Sequence, residues 1–292
     1  MTWAFGPLAP FDCESSGPDP ESARLVSATV AHIVPGAAPA VVEHLVAVED
    51  DIPAEATAVH GITTDHARVN GKPLSEVAEA VASHLVELMG AGVPLVGMNL
   101  SYDCTLLQRE LYRCGLPSLE DRGLPTIAPL IDVYVIDKAV DRYRKGGRKL
   151  TDLCQHYGVR LDGAHDATFD ALGAARVAYK MCKRGQLAIA DPNTVYGLYA
   201  DRPRQAPHIV RAFQTLGQMS LDQLHAWQVE RYREQSESLA AYFRQQANQL
   251  EHEAGYGDDA ERETKLADAA LLRERADGIC GDWPLRPRGA AA

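Results

Sequence analysis

The chain has 292 residues, enough for one good core plus a smaller second unit. At 46% hydrophobic and 24% charged, with no run near the roughly 18 apolar residues of a membrane span and no basic or apolar leader in Met1 to Pro7, it is expected to be cytoplasmic and without a membrane partner. A net charge of −11 argues against nonspecific coating of nucleic acid, and six cysteines without a Cys-x-x-Cys pair fit reduced thiols.

In chain order, Leu8 to Cys13, Leu25 to Val34 and Ala40 to Val48 are short Val-rich runs, and Pro35-Gly36 marks a turn between the last two. They read as a three-stranded antiparallel meander. Leu74, Val77, Val81, Leu85 and Leu88 recur at steps of three and four, which predicts a helix over 74–89 capped by Ser75 and stopped by Gly90. Val93 to Met98 is a buried strand, followed by a helix from about Ser101 to Cys114. Leu130 to Val135 reads as the fifth strand, Lys149 to Tyr157 as a short helix, and Asp166 to Arg184 as a longer one closed by Gly185. The pattern is an α/β fold, a mixed five-stranded sheet with helices on both faces.

Past Gly185 the character changes. Asp191-Pro192-Asn193 and the Pro-rich stretch Arg202 to Pro207 are turn chemistry, so 186–219 is expected to be a linker. Residues 220–292 read as a helical hairpin, with helices over 220–253 and 260–276. Ser220 and Gln223 form a capping box at its start, and Leu239, Tyr242 and Phe243 are expected in its core. On this division 1–185 is the chemical domain, and a chain ending near Gly185 keeps its chemistry.

Three fragments carry that chemistry. Asp12 and Glu14, in Phe11-Asp12-Cys13-Glu14, leave one face of a strand together. Asn99 and Asp103 stand where a strand passes into a helix, the place where sites collect in α/β proteins. His165 and Asp170 flank the start of the long helix. Each fragment alone has a bland reading as a solvated strand end, a helix cap or a dipole-complementing acid. Together, Asp12, Glu14, Asp103 and Asp170 make an oxygen-rich set for two divalent ions, Mg²⁺ or Mn²⁺, clamping an in-line displacement at phosphorus. His165 suits a general base near neutral pH. The basic run Arg142 to Lys149 reads either as a loop gripping phosphates, with Arg144 and Lys145 as its contacts, or as a solvated surface loop.

These residues resemble the motifs of the DEDDh (DnaQ-like) 3′–5′ exonucleases, the group containing the proofreading epsilon-type subunits of bacterial replicases. The first motif, F-D-x-E-T-T-G, is Phe11 to Gly17 with both Thr replaced by Ser15 and Ser16. The second is met by Asn99 and Asp103, with Met98 and Tyr102 in place of the usual His and Phe. The third, H-x-A-x-x-D, is met by His165, Ala167 and Asp170. His60-Gly61-Ile62-Thr63 resembles the family loop near the terminal nucleotide, and Lys149 to Cys154 the helix before the third motif. The resemblance, over roughly residues 5–185, implies a ribonuclease H-like fold. It also implies Asp12, Glu14, Asp103 and Asp170 as metal ligands, His165 as base, and Ser15, His60 and Asn99 beside the substrate. The expected activity is release of nucleoside monophosphates from single-stranded or frayed DNA 3′ ends, with a DNA polymerase or another replication or repair protein as partner. RNA 3′ ends, or a non-catalytic role beside a polymerase, are the alternatives.

Overall fold

The computed structural model describes residues 3–123, 127–160, 167–256 and 259–287. Five strands form one sheet, β1 (Ala9–Ser15), β2 (Leu25–His32), β3 (Ala40–Leu45), β4 (Leu95–Gly97) and β5 (Leu130–Asp132), in the order β3-β2-β1-β4-β5. The meander is antiparallel, with Phe11 opposite Val30 and Val30 opposite Val42. β4 runs parallel to both β1 and β5. The mixed five-stranded sheet is thus the one the sequence predicts.

The first helices are α1 (Ala54–His60), α2 (Thr64–Asn70), α3 (Leu74–Gly90) and α4 (Leu100–Arg113). α3 buries Val77, Val81, Leu85 and Leu88, the stripe read from its periodicity, but Pro73 rather than Ser75 stands at its N-cap. α3 and α4 pack together and against β2 and β1. Next come α5 (Val133–Val140), α6 (Leu150–Tyr157) and α7 (Ala167–Ala190), and α7 lies across β1, β2 and β4. The last are α8 (Pro192–Gly197), α9 (Ala206–Gln218), α10 (Leu221–Ala254) and α11 (Asp259–Asp277). Among the described residues no helix is long and apolar enough to cross a membrane.

Three expectations change. β5 stops at Asp132, whose carboxylate accepts hydrogen bonds from Tyr134 N (3.0 Å) and Val135 N (3.4 Å). That N-cap pulls Val133-Tyr134-Val135, strand-formers by propensity, into α5. α7 continues through Gly185 to Ala190, because this glycine serves close packing rather than termination. A Cβ on Gly185 would stand 3.0 Å from the backbone of Phe213 and of Gly217 in α9. Finally, 186–219 is not an open linker. Ile209, Val210, Phe213 and Leu216 of α9 are buried in one core cluster with Val177, Ala178 and Met181 of α7.

The chain forms two compact units, Met1–Gln228 and Val229–Ala292. The second contains the rest of α10 and α11 as a pair of helices. Its buried side chains include Ala240, Ala247, Ala254, Ala269, Ala276 and Trp283, whereas Leu239 and Tyr242 are exposed. Alanines and Trp283 therefore fill this pair in place of Leu239 and Tyr242, and Phe243 is half-buried. Ion pairs Arg273–Glu251 (2.7 Å) and Arg244–Asp277 (3.0 Å) join its flanks.

Candidate active site

The site is built at the carboxyl end of β1, the central strand. Along β1, Phe11 and Cys13 are buried while Asp12 and Glu14 keep partial exposure. Cys13 neighbours Cys104 of α4. By the period-two alternation Asp12 and Glu14 then point to the opposite face, the one over which α7 lies. Burial pushes the thiols of Cys13 and Cys104 well up, and the Asp103 charge adds to it. Both stay protonated near neutral pH, so neither offers a thiolate to a metal.

The pairing of β1 with β2 is irregular between Glu14 and Ser15, and beyond it the chain turns through Ser15-Ser16-Gly17. Side chains hold this turn alongside the backbone bond from Ser16 N to Arg24 O (2.9 Å). The Tyr102 hydroxyl bonds both the Gly17 carbonyl and Ser15 Oγ, while Ser15 Oγ also donates to Gly17 O (2.9 Å). Ser16 Oγ accepts from Arg24 N (2.8 Å). Burial pushes the Tyr102 phenol up to about 12, so it remains a donor.

His60 comes to the same turn. It ends α1, Gly61 follows in the left-handed region (φ 76°), and His60 Nδ1 accepts from Ile62 N (3.1 Å). Burial lowers its pKa, against the raising effect of the Ser15 backbone beside the ring, and so favours the neutral imidazole.

Asn99 has φ 64°, the left-handed conformation that Asn tolerates better than other non-glycine residues. Its side chain makes no capping hydrogen bond to α4. The start of α4 is held by Asp132 instead, which accepts from Asn99 N and Leu100 N, both at 2.9 Å. Asp103, one turn into α4, is 4% exposed, and its Oδ1 accepts from Cys13 N at 3.0 Å. Burial raises its carboxyl well above the usual range and the Asp12 charge raises it further, against the lowering effect of the Cys13 N–H.

This donor set fits a hard divalent cation. Two carboxylates that each disfavour ionisation of the other are relieved by a cation between them, and oxygen is the donor such ions prefer. Among the described residues no three acidic, His or Cys side chains gather closely enough to hold a metal by themselves. Asp170 falls in the first turn of α7, but its side chain, like all of His165, lies outside the described part of the structure.

The basic run divides. Arg144 and Arg148 turn inward to Asp137, which is fully buried and also accepts from Tyr157 OH at 2.9 Å. A buried carboxylate needs such partners, so Arg144 serves as an internal counter-ion to Asp137, while it also borders the open cavity beside Lys145. Lys145 remains exposed and lines an open cavity of about 850 Å³ with Tyr143, His156, Arg202 and Arg204. Sequence reasoning missed Tyr102 as the clamp of the first motif and Asp132 as the anchor of the second. The signal for Asp132 was present, an acid closing a strand just before a helix.

Residues 10–178, more than half of the chain, match the exonuclease family RNase_T. No curated protein sequence matches. Escherichia coli exonuclease I in complex with a dT13 oligonucleotide is similar at 18% identity and a TM-score of 0.49, over 67% of this chain and 46% of that one. The zinc-bound form of the E. coli exonuclease I–single-stranded DNA complex gives 17%, 0.47, 70% and 42%. A moderately thermophilic exonuclease I from Methylocaldum szegediense gives 18%, 0.46, 69% and 42%. The chain thus spans less than half the length of these three structures. On the match over residues 10–178 the chain belongs to the exonuclease family.

Proposed function

We propose that the chain is a 3′–5′ exonuclease that hydrolyses the terminal phosphodiester of single-stranded or frayed DNA and releases nucleoside monophosphates. The observation that carries this reading is the buried Asp103 carboxylate beside Asp12, tied to β1 through Cys13 N, in a chain of the exonuclease family. Asp12, Glu14, Asp103 and Asp170 hold two divalent cations, Mg²⁺ or Mn²⁺. Bound there, they would supply electrostatic stabilisation of the charge that develops at the reacting phosphate.

His165 takes the proton from the attacking water. Ser15 and His60 stand at the turn beside the metal ligands and contact the terminal nucleotide, and the Asn99 amide orients it. Lys145 reaches a phosphate further along the strand. A polymerase or another replication or repair protein supplies the ends on which the enzyme acts.

The test is hydrolysis of a 5′-labelled single-stranded DNA oligonucleotide, with RNA of the same sequence in parallel, in Mg²⁺, Mn²⁺ and chelator. A 3′-shortening ladder that needs metal, and that Asp12→Ala and His165→Ala reduce by at least 10²-fold, is expected. Cleavage of RNA alone would reassign the substrate. Metal-independent cleavage, or full activity in Asp12→Ala, would overturn the reading.

A further inference from the structure

Gln228, in the second turn of α10, is fully buried and pairs with the open edge of β5 as a neighbouring strand would. Its Nε2 donates to Leu130 O (2.8 Å) and its Oε1 accepts from Asp132 N (2.7 Å). One turn earlier, His225 Nδ1 accepts from Leu130 N at 3.3 Å. Two side chains of α10 thus satisfy three backbone groups on the side of β5 away from β4, which would otherwise be an uncovered edge.

Asp132 carries the connection onward. Its side chain is fully buried, and both oxygens accept from the Asn99–Leu100 peptide groups at 2.9 Å. These bonds hold Asn99 in a conformation that is unfavourable for a non-glycine residue and fix the first turn of α4. Asp103 is the fourth residue of that helix and bonds the Cys13 N–H, between Asp12 and Glu14. A continuous path of short hydrogen bonds and one helical turn therefore runs from α10 to the proposed metal ligands.

We infer that Asp132 and Gln228 are positioning residues for the exonuclease site, Asp132 by setting the start of α4 and Gln228 by holding Asp132 in register. The inference rests on the function proposed above. Neither residue is among the proposed metal ligands or substrate contacts. Each sets where the Asp103 carboxylate stands relative to Asp12, and a displacement near 1 Å at such a ligand costs about 10²-fold in rate.

The experiment compares the full-length protein with Asp132→Asn and Gln228→Met, using Mn²⁺ titration without substrate, steady-state kinetics on a DNA oligonucleotide, and native-state amide exchange. The expected result is at least a tenfold fall in kcat with KM nearly unchanged, and a severalfold weaker Mn²⁺ affinity in the folded variants. A purely structural role would lower the folded fraction and leave kcat per folded molecule and the Mn²⁺ midpoint of that fraction unmoved. Folded variants with wild-type kcat and Mn²⁺ affinity overturn the inference. Should neither variant fold, wild-type exchange decides: Asn99 and Leu100 amides as protected as the α4 core support it, and fast exchange there overturns it. An inactive wild-type protein would instead sink the proposed function, while the Mn²⁺ and exchange measurements would still judge the positioning.

Discussion

At Asp103 stability and chemistry pull in opposite directions. Burial and the Asp12 charge raise its carboxyl, so between the ordinary carboxylate pKa and the raised one the folded state binds more protons than the unfolded state. Stability in that window falls as pH rises, and near pH 7 the metal-free protein is under strain at this position. Asp103→Asn keeps an oxygen for Cys13 N and removes the charge. It is expected to raise the metal-free Tm by a few degrees while losing hydrolysis. Saturating Mn²⁺ should stabilise the wild type by about 2–3 kcal/mol at a hundredfold excess over Kd. The same addition should do far less for Asp103→Asn. Equal thermal shifts for the two proteins would contradict the ligand assignment. His156 gives the opposite sign. Burial, with Arg184 and Arg144 nearby, lowers it to about 4. Its unfolded form takes a proton first as pH falls, so its contribution is intact above about 6.5 and lost down to about 4. Urea midpoints measured from pH 7 to 4.5 should fall, and His156→Gln should flatten the slope. An unchanged slope in the variant would assign the acid sensitivity elsewhere, to His44, His60 or His225, which burial shifts in the same direction. The exonuclease family was legible in the sequence because its motifs are local words of a few residues. Tyr102 and Gln228 were not, because their partners stand 87 and 96 residues away, and of Asp132 only the local helix-capping role was, its bonds to Asn99 and Leu100 reaching 33 and 32 residues back.

Among elements, the α7–α9 contact shows how one residue type misleads when read locally. Gly185 looks like a helix stop, yet α7 runs through it and two glycines let the helices meet backbone to backbone. A Cβ on Gly217 would lie 2.6 Å from Gly185 O, where neither side can yield. Gln186 Nε2 donates to Gly217 O (2.6 Å) and Gln214 Nε2 to Ala188 O (3.0 Å), which fixes the same crossing. Gly217→Ala is therefore expected to cost about 1–3 kcal/mol from overpacking. That outweighs the up to 1 kcal/mol that alanine adds to a helix. Gly90→Ala, in α3 with nothing within 4 Å of its Cβ, is the control and should be neutral or stabilising. Denaturant midpoints measure both, and a neutral Gly217→Ala would mean that the helices separate at no cost. The boundary between β5 and α5 was missed for a related reason. Val, Ile and Tyr favour strands on average, and only the capping carboxylate of Asp132 decides otherwise.

For the whole molecule the boundary of the nuclease unit lies beyond the family match. The match ends at residue 178, and sequence character alone places a change at Gly185, since proline-rich turns follow it. Turn chemistry marks where the chain bends, however, not where packing stops. Ile209 and Val210 are 2% exposed and Phe213 and Leu216 fully buried, all in the core that also holds Trp3, Val96 and Ile131. Trp3 Nε1 donates to Leu216 O (3.1 Å), which ties the first described residue of the chain to α9. Removing one buried Leu, Ile or Phe side chain costs about 2–5 kcal/mol. Removing the four together costs about 8–20 kcal/mol, as much as the whole stability of an ordinary domain, about 5–15 kcal/mol. A chain ending at Gly185 should accordingly show no cooperative thermal transition and no metal-dependent hydrolysis, contrary to the expectation from sequence. A chain ending at Gln235 keeps α8, α9 and the Gln228 pairing with β5, so it should melt cooperatively and retain hydrolysis of a short oligonucleotide. Circular dichroism melts of the two truncations, with the oligonucleotide assay beside them, separate the alternatives. If the shorter chain folds and cuts as well as the longer one, the residues from 186 to 228 are not part of the nuclease core.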